Sequence, residues 1–284
     1  MAKVHTVFNC DSARISQPEE EPAIGTDALT RRFGAMVAVA DVSMIVLHGE
    51  IFGLIGPNGA GKSTLIKMLT TLLPPSSGTA RVAGFDVVEQ SAEVRRRIGY
   101  VPQLLSADRS LTGYENMLLS ARLYAIPRRE RRERITEALA AMNLTNVADR
   151  LVHDYSGGMI RALEIAQSMM HRPKVLMMDE PTVGLDPMAR RVVRDRVRAL
   201  RETFNMTMLI TTHDMAEADE LCDRIALMHN GRVEASGTPT ELKEQVEPEA
   251  TLDDVFVHFV GVEIHPGGGY REARRARQSI REHR

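Results

Sequence analysis

The sequence predicts an α/β protein built around a mainly parallel sheet, and three observations carry that reading. Short apolar runs over residues 51–55, 175–178 and 206–212 have the length of buried strands. Stretches of helical length, such as 188–202 and 215–221, alternate with them, and such alternation builds parallel sheets. A glycine-rich segment, Gly56-Pro57-Asn58-Gly59-Ala60-Gly61-Lys62-Ser63, joins one strand to the helix after it.

The elements follow in order. Order is expected from about Asp27, after an acidic run at Glu19, Glu20 and Glu21 in a solvated N-terminal segment. Residues 37–47 are aliphatic and β-branched and read as strand. His48-Gly49-Glu50 turns the chain into 51–55. A helix runs from Gly61 to Thr71 and is broken by Pro74, Pro75 and Gly78. Residues 80–86 and 98–101 read as further strands. Thr112 and Glu115 stand at capping-box spacing and open a helix. Pro127 opens the next, whose mixed-sign run over 128–134 reads as a solvated face. This helix-rich interval, about 104–151, looks inserted into the α/β core. Near the end, Asn230-Gly231 between 225–228 and 232–235 signals a hairpin.

Composition narrows the function. The 284 residues hold one large domain or two modest ones. With 26% charged and 43% hydrophobic residues the chain is globular. A formal charge of −2 lacks the broad basic field of non-specific nucleic-acid binders, so no nucleic-acid partner is expected. Cys10 and Cys222 have no second Cys at ligand spacing, which excludes a Cys-rich zinc site and favours reduced thiols. No apolar run approaches the roughly 18 residues of a membrane span, and residues 1–18 lack a signal-peptide core, so a soluble chain is expected.

The glycine-rich segment fits G-x-x-x-x-G-K-[ST], between the strand and helix that the motif needs. Its glycines let backbone N–H groups turn inward around phosphate oxygens, and the helix N-terminus adds partial positive charge. Lys62 has the reach for the β- and γ-phosphates, and the Ser63 hydroxyl suits Mg²⁺. Gly56 through Ser63, with Thr64, are therefore the expected nucleotide-binding residues. The strand 175–178 ends in Asp179-Glu180. Beside a phosphate loop, Asp179 is placed to hold the metal shell and Glu180 to act as general base on the attacking water. His213 ends the neighbouring apolar strand, within reach of a γ-phosphate.

Asp154-Tyr155-Ser156-Gly157-Gly158-Met159 resembles the signature motif of ABC-transporter ATPases. With the phosphate loop, Gln103 after Val101-Pro102, Asp179-Glu180-Pro181, Gly184-Leu185-Asp186-Pro187 and His213, the match runs in the family's order over residues 27–245. The resemblance implies a P-loop NTPase core with an antiparallel β subdomain and an inserted helical subdomain at about 104–165. It implies ATP and Mg²⁺ as ligands. Gln103 looks like the Q-loop residue that touches the metal site. Ser156, Gly157 and Gly158 look like donors to a γ-phosphate on an opposing protomer, and Asp186 like the residue of the dimer seam. Phe33, upstream of the phosphate loop, looks like the aromatic that stacks on adenine.

Departures are Tyr155 for the usual Leu, Met159 for Gln, and Ala162 and Gln167 where Arg is common. Thr182 to Pro187 and Thr251-Leu252-Asp253-Asp254-Val255-Phe256 resemble daunorubicin-resistance-type and nodulation-type exporter ATPases. Their membrane subunit is a separate polypeptide, so the implied partners are a transmembrane permease and a second ATPase protomer, with peripheral contact at the cytoplasmic face of the membrane. Residues 246–265 read as a packing segment. Arg outnumbers Glu over 266–284, a flexible tail after Gly267-Gly268-Gly269. A non-transport ABC ATPase of translation or DNA repair is the alternative. The short interval between Gln103 and Ser156 leaves no room for the long coiled coil of DNA-organising members, and translation-type members usually carry two nucleotide domains. A small-molecule kinase would leave the signature and His213 without a role.

Overall fold

A computed structural model describes residues 21–247 and 249–261. Cys10, most of the N-terminal segment and the Arg-rich 266–284 lie outside the described residues. The chain opens with β1 (Ile24–Phe33), β2 (Met36–Val46), β3 (Ile51–Ile55), α1 (Lys62–Leu69), β4 (Ser77–Val82) and β5 (Phe85–Asp86). It continues through α2 (Ser91–Arg97), β6 (Ile98–Val101), α3 (Gly113–Leu123), α4 (Arg128–Ala141) and α5 (Gly157–Met169). Then come β7 (Val175–Asp179), α6 (Pro187–Phe204), β8 (Thr207–Thr212) and α7 (Met215–Leu221). The hairpin β9 (Arg224–His229) and β10 (Arg232–Gly237) precedes α8 (Pro239–Glu244) and α9 (Leu252–Val260).

The main sheet has the order β10-β9-β3-β8-β7-β6. Its strands β9, β3, β8, β7 and β6 are parallel, and β10 closes one edge antiparallel to β9. This sheet divides two cores. Leu176, Met178, Met208 and Ile210 face the helices, whereas Val175, Met177 and Leu209 face the second sheet. Alternate residues of one strand therefore serve opposite cores, as period-two geometry requires. That is why these strands read as unbroken apolar runs. Each fully buried side chain of this size contributes about 1.5–3 kcal/mol.

The second sheet, β2-β1-β4-β5, is antiparallel and covers α1 and one face of the main sheet through Leu29, Val39, Val42, Leu65 and Ile66. The inserted helices α3, α4 and the first part of α5 close the other core. Thr112 and Glu115 form the expected capping box, with Glu115 N donating to Thr112 Oγ1 at 3.1 Å and Thr112 N to Glu115 Oε2 at 2.8 Å.

Two element limits stand out. The first strand, β1, starts at Ile24, ahead of Asp27, and Ala23 and Ile24 are completely buried there. That strand escaped notice because its pairing with β2 is interrupted by register shifts, and these break its alternation. The helix α5, which begins inside the expected helical interval, ends at Met169. At the C-terminal end, α9 packs through Leu252, Val255 and Phe256, and the Phe256 ring meets His229 edge-on at 6.2 Å.

Among the described residues no helix is long and apolar enough to cross a membrane. What matters for chemistry is that the C-terminal ends of β3, β6, β7 and β8 lie side by side. Ligands of parallel α/β sheets bind at that edge.

Candidate functional site

The loop after β3 is held from two sides. Gly56 N donates to Thr212 O at 3.4 Å, and Ala60 O accepts from Gly231 N at 2.9 Å. Gly61 has φ 105°, and a Cβ there would lie 2.4 Å from Ala38 O, so the loop closes only with glycine at this point. The β1–β2 hairpin and the β9–β10 hairpin thus brace the glycine-rich loop. Asn230 and Gly231, with φ 47° and 79°, form the turn that Asn-Gly predicts. Together with Met36, Val37, Ala38, Gln103, Glu180 and residues 58–64, they line a cavity of about 620 Å³. That volume suits a small-molecule ligand, and the N-terminus of α1 opens into it with the electropositive end of its dipole.

Six predicted residues converge here: Lys62, Ser63, Gln103 and Glu180 line the cavity, and Asp179 and His213 bond to them. Lys62, 4% exposed, donates from Nζ to Gly56 O at 2.7 Å and Pro57 O at 3.2 Å, and lies 3.3 Å from Glu180 Oε1. Ser63 Oγ donates to Asp179 Oδ1 at 3.1 Å. On the other carboxylate, Glu180 Oε2 accepts from His213 Nδ1 at 3.1 Å and from Gln103 Nε2 at 3.4 Å. Glu180 therefore gathers Lys62, His213 and Gln103 around one carboxyl group. Its backbone is in the left-handed region at φ 48°, a strain of about 1–3 kcal/mol for a non-glycine residue. Thr211 holds it there, accepting from Glu180 N through its carbonyl at 3.1 Å and its hydroxyl at 2.9 Å. Burial, and secondarily the Asp179 charge, push the neighbouring Tyr100 phenol up to about 12.

The residues present fit a nucleotide and a hard cation. Glycine turns and a buried ammonium are the apparatus of phosphate binding. One carboxylate, Asp179, beside one hydroxyl, Ser63, offers the sparse oxygen set that Mg²⁺ takes alongside phosphates and water.

Ser156, Gly157, Gly158 and Asp186, the four predicted for a second protomer, are elsewhere. Ser156 caps α5, its Oγ accepting from Met159 N at 3.3 Å. Asp186 caps α6, its Oδ1 accepting from Ala189 N at 2.9 Å. These helix starts touch each other: a Cβ on Gly158 would lie 2.9 Å from Ala189 Cβ. Ser156, Gly157 and Asp186 are exposed, and none of the four lines the glycine-loop cavity. Phe33 stands 43% exposed near the β1–β2 turn, with the Arg31 guanidinium 4.7 Å from its ring centroid. Of the departures, Tyr155 is buried and donates to Val147 O at 2.7 Å. Gln167 packs α5 onto α3, donating to Asn116 O at 3.2 Å and Ser120 Oγ at 3.0 Å.

Several functional neighbours had no sequence signal. Thr211 also donates to Asp179 Oδ1 at 2.6 Å, so it touches both acidic residues. Glu217, 3% exposed, accepts from Thr182 Oγ1 at 2.7 Å and Thr212 Oγ1 at 2.6 Å. It ties the loop after Glu180 to the strand end before His213. In sequence it reads only as the third helical position after Asp214. A second cavity, of about 650 Å³, opens among Arg134, Met170, Lys174, Phe204 and Thr207. None of the predicted site residues lines it.

Comparison with known proteins agrees with this geometry. Residues 39–183 match the family model described as "ABC transporter". The daunorubicin/doxorubicin resistance ATP-binding protein DrrA of Streptomyces peucetius is 46% identical over 224 residues, 79% of this chain and 68% of that one. "Probable multidrug ABC transporter ATP-binding protein YbhF" of Escherichia coli is 39% identical over 244 residues, 84% of this chain but only 42% of that one. A solved ATP binding subunit of an ABC transporter superposes with a TM-score of 0.74 at 30% identity, over 84% of this chain and 99% of the other.

Proposed function

The chain belongs to the ABC transporter family of ATP-hydrolysing proteins, and from that premise we propose that it is the energy-supplying subunit of an exporter. In this reading Gly56 to Thr64 seat the phosphates of ATP and Lys62 neutralises the β- and γ-oxygens. Ser63 and Asp179, with Gln103 beside them, hold Mg²⁺, which when bound offsets the charge on the phosphate oxygens. Glu180 orients a water molecule and takes its proton as the oxygen attacks the γ-phosphorus, leaving ADP and phosphate. His213 keeps Glu180 in that position. Phe33 lies against the adenine.

The observation that carries the proposal is the separation of parts. Ser156, Gly157 and Asp186 stand exposed, and with the half-buried Gly158 they lie outside the cavity that collects the remaining polar machinery. The N-terminus of the 13-residue α5 would offer a second anion seat, and it lies apart from the phosphate-loop cavity. Two copies arranged head to tail complete both seats, each signature helix facing the other copy's phosphate loop. Closure of that pair would pull on a separate membrane subunit at the cytoplasmic face. The similarity to the daunorubicin/doxorubicin resistance protein DrrA supports drug-like cargo; lipid or polysaccharide-like cargo fits the same machinery.

The test is the mass of the Glu180→Gln protein in solution. Binding without turnover should hold the pair together, so saturating ATP and Mg²⁺ should double the mass, and ADP should not. A mass that stays at one chain under ATP contradicts the proposal.

A further inference from the structure

We propose that the buried pair Arg161 and Glu164 straps the Gln103 loop to the signature helix, so that the two move as one body. The inference rests on the head-to-tail reading above.

Arg161 is 1% exposed and is the largest fully buried side chain among the described residues. Nothing about core packing calls for a guanidinium there, because burying a cation costs several kcal/mol unless it is fully engaged. Its two terminal nitrogens are engaged specifically, while the buried Nε has no partner. Nη1 donates to Pro102 O at 2.7 Å and Nη2 to Gln103 O at 2.7 Å. Nη1 also reaches Glu164 Oε2 at 3.0 Å. Glu164, 4% exposed, then accepts through Oε1 from Ser106 N, from Ser106 Oγ at 3.1 Å and from Ala107 N at 3.3 Å. Two side chains of one helix thus hold both ends of the segment 102–107.

The segment itself has little else. Residues 103–106 are exposed, and Leu104 is 81% exposed. Apart from Ala107, which packs against the helical core, its position is set by polar bonds to α5. The same helix begins one turn earlier at Ser156. A rigid helix, with a charge-assisted clamp on the loop, transmits a shift of Gln103 at one nucleotide to Ser156 at the other. Arg161 and Glu164 touch neither nucleotide; they are positioning residues. A helix that only needed to pack against the loop would do so with aliphatic side chains at lower desolvation cost.

The experiment places Glu164→Gln in the Glu180→Gln background, which keeps the shape of the side chain and removes its charge. Two quantities are measured on the full chain. One is the affinity of the single chain for a fluorescent ATP analogue; the other is the ATP concentration giving half-maximal dimer. Coupling between sites is typically worth 5–150-fold. The strap therefore predicts that half-dimerisation moves to about tenfold higher ATP, with single-chain affinity changed less than about twofold. Arg161→Lys, which keeps charge but cannot span two carbonyls and a carboxylate, should shift the same midpoint, and it supplies the test if Glu164→Gln does not fold. An unchanged midpoint overturns the proposal. So does a parallel loss of single-chain affinity, which would mean general damage to the fold. If Glu180→Gln alone fails to dimerise, the head-to-tail reading fails first, so the two failures are distinguishable.

Discussion

At the scale of residues, Thr211 is the clearest dependency. Its hydroxyl donates to Asp179 and accepts from Glu180 N, so a single side chain sets the relative position of the two acids. Thr211→Val is expected to keep nucleotide affinity within about threefold while lowering kcat by roughly 10–100-fold, because orientation of the acting group is lost while the phosphate seat stays. Steady-state ATPase kinetics together with a binding titration check this, and Thr211→Ser should recover most of the rate. For Glu180, the proposed general base, Glu180→Gln should cost about 10²–10⁴ in kcat with nucleotide binding retained. The acids were legible in the sequence because two carboxylates ending an apolar strand after a phosphate loop have few other uses. Thr211 was not, since a threonine inside an apolar strand is ordinary β composition. Glu217 was hidden for another reason: its partner Thr182 is 35 positions away, and only the parallel pairing of β7 with β8 brings the two strand ends together.

At the scale of elements, the joints between the helical insertion and the sheet decide behaviour. His171, just after α5, bonds through Nε2 to Ile98 O at 2.8 Å and stacks on Tyr124 with ring centroids 3.9 Å apart. It therefore ties α5, β6 and the end of α3 together. Burial lowers its pKa; the Ile98 carbonyl opposes that shift, and the Arg134 charge adds to it. A depressed pKa means that the unfolded chain takes up the proton first. The joint's contribution is thus intact above about pH 6.5 and is lost as pH falls through the lower folded-state value. Thermal unfolding from pH 8 to 5 should show this as a falling Tm on the acid side. His171→Phe, which cannot protonate, should have a flatter acid limb. The Glu217 clamp is a second joint. Glu217→Ala strands two buried hydroxyls and should destabilise the fold by about 1–3 kcal/mol, measurable by denaturant unfolding. Strands that serve two cores were legible as unbroken apolar runs. By contrast, β1 was not, because its register shifts destroy the period, and α2, with Glu93, Arg95, Arg96 and Arg97 in seven residues, offers one buried side chain, Val94.

At the scale of the whole molecule, the proposed function has each chain supply parts to two sites and complete neither alone. Its own cavity holds Lys62, Ser63, Gln103 and Glu180. Its signature helix presents Ser156 at the surface, where Gly158 packs on Ala189. The sequence order of the motifs was enough to read the inventory; the division into two surfaces is a property of the fold. The most direct measurement mixes two crippled proteins. Lys62→Ala disables the phosphate loop and leaves the signature whole. Ser156→Asp leaves α5 well capped, since Asp is as good a cap as Ser, but sets a carboxylate against the facing phosphate. Each protein alone should be inactive. In a random mixture half the pairs are mixed, and each mixed pair holds one intact composite site, so phosphate release should return to about a quarter of the wild-type rate. A mixture that stays as inactive as its components, with both proteins folded and the Ser156→Asp chain still binding ATP, would contradict a site shared between two copies.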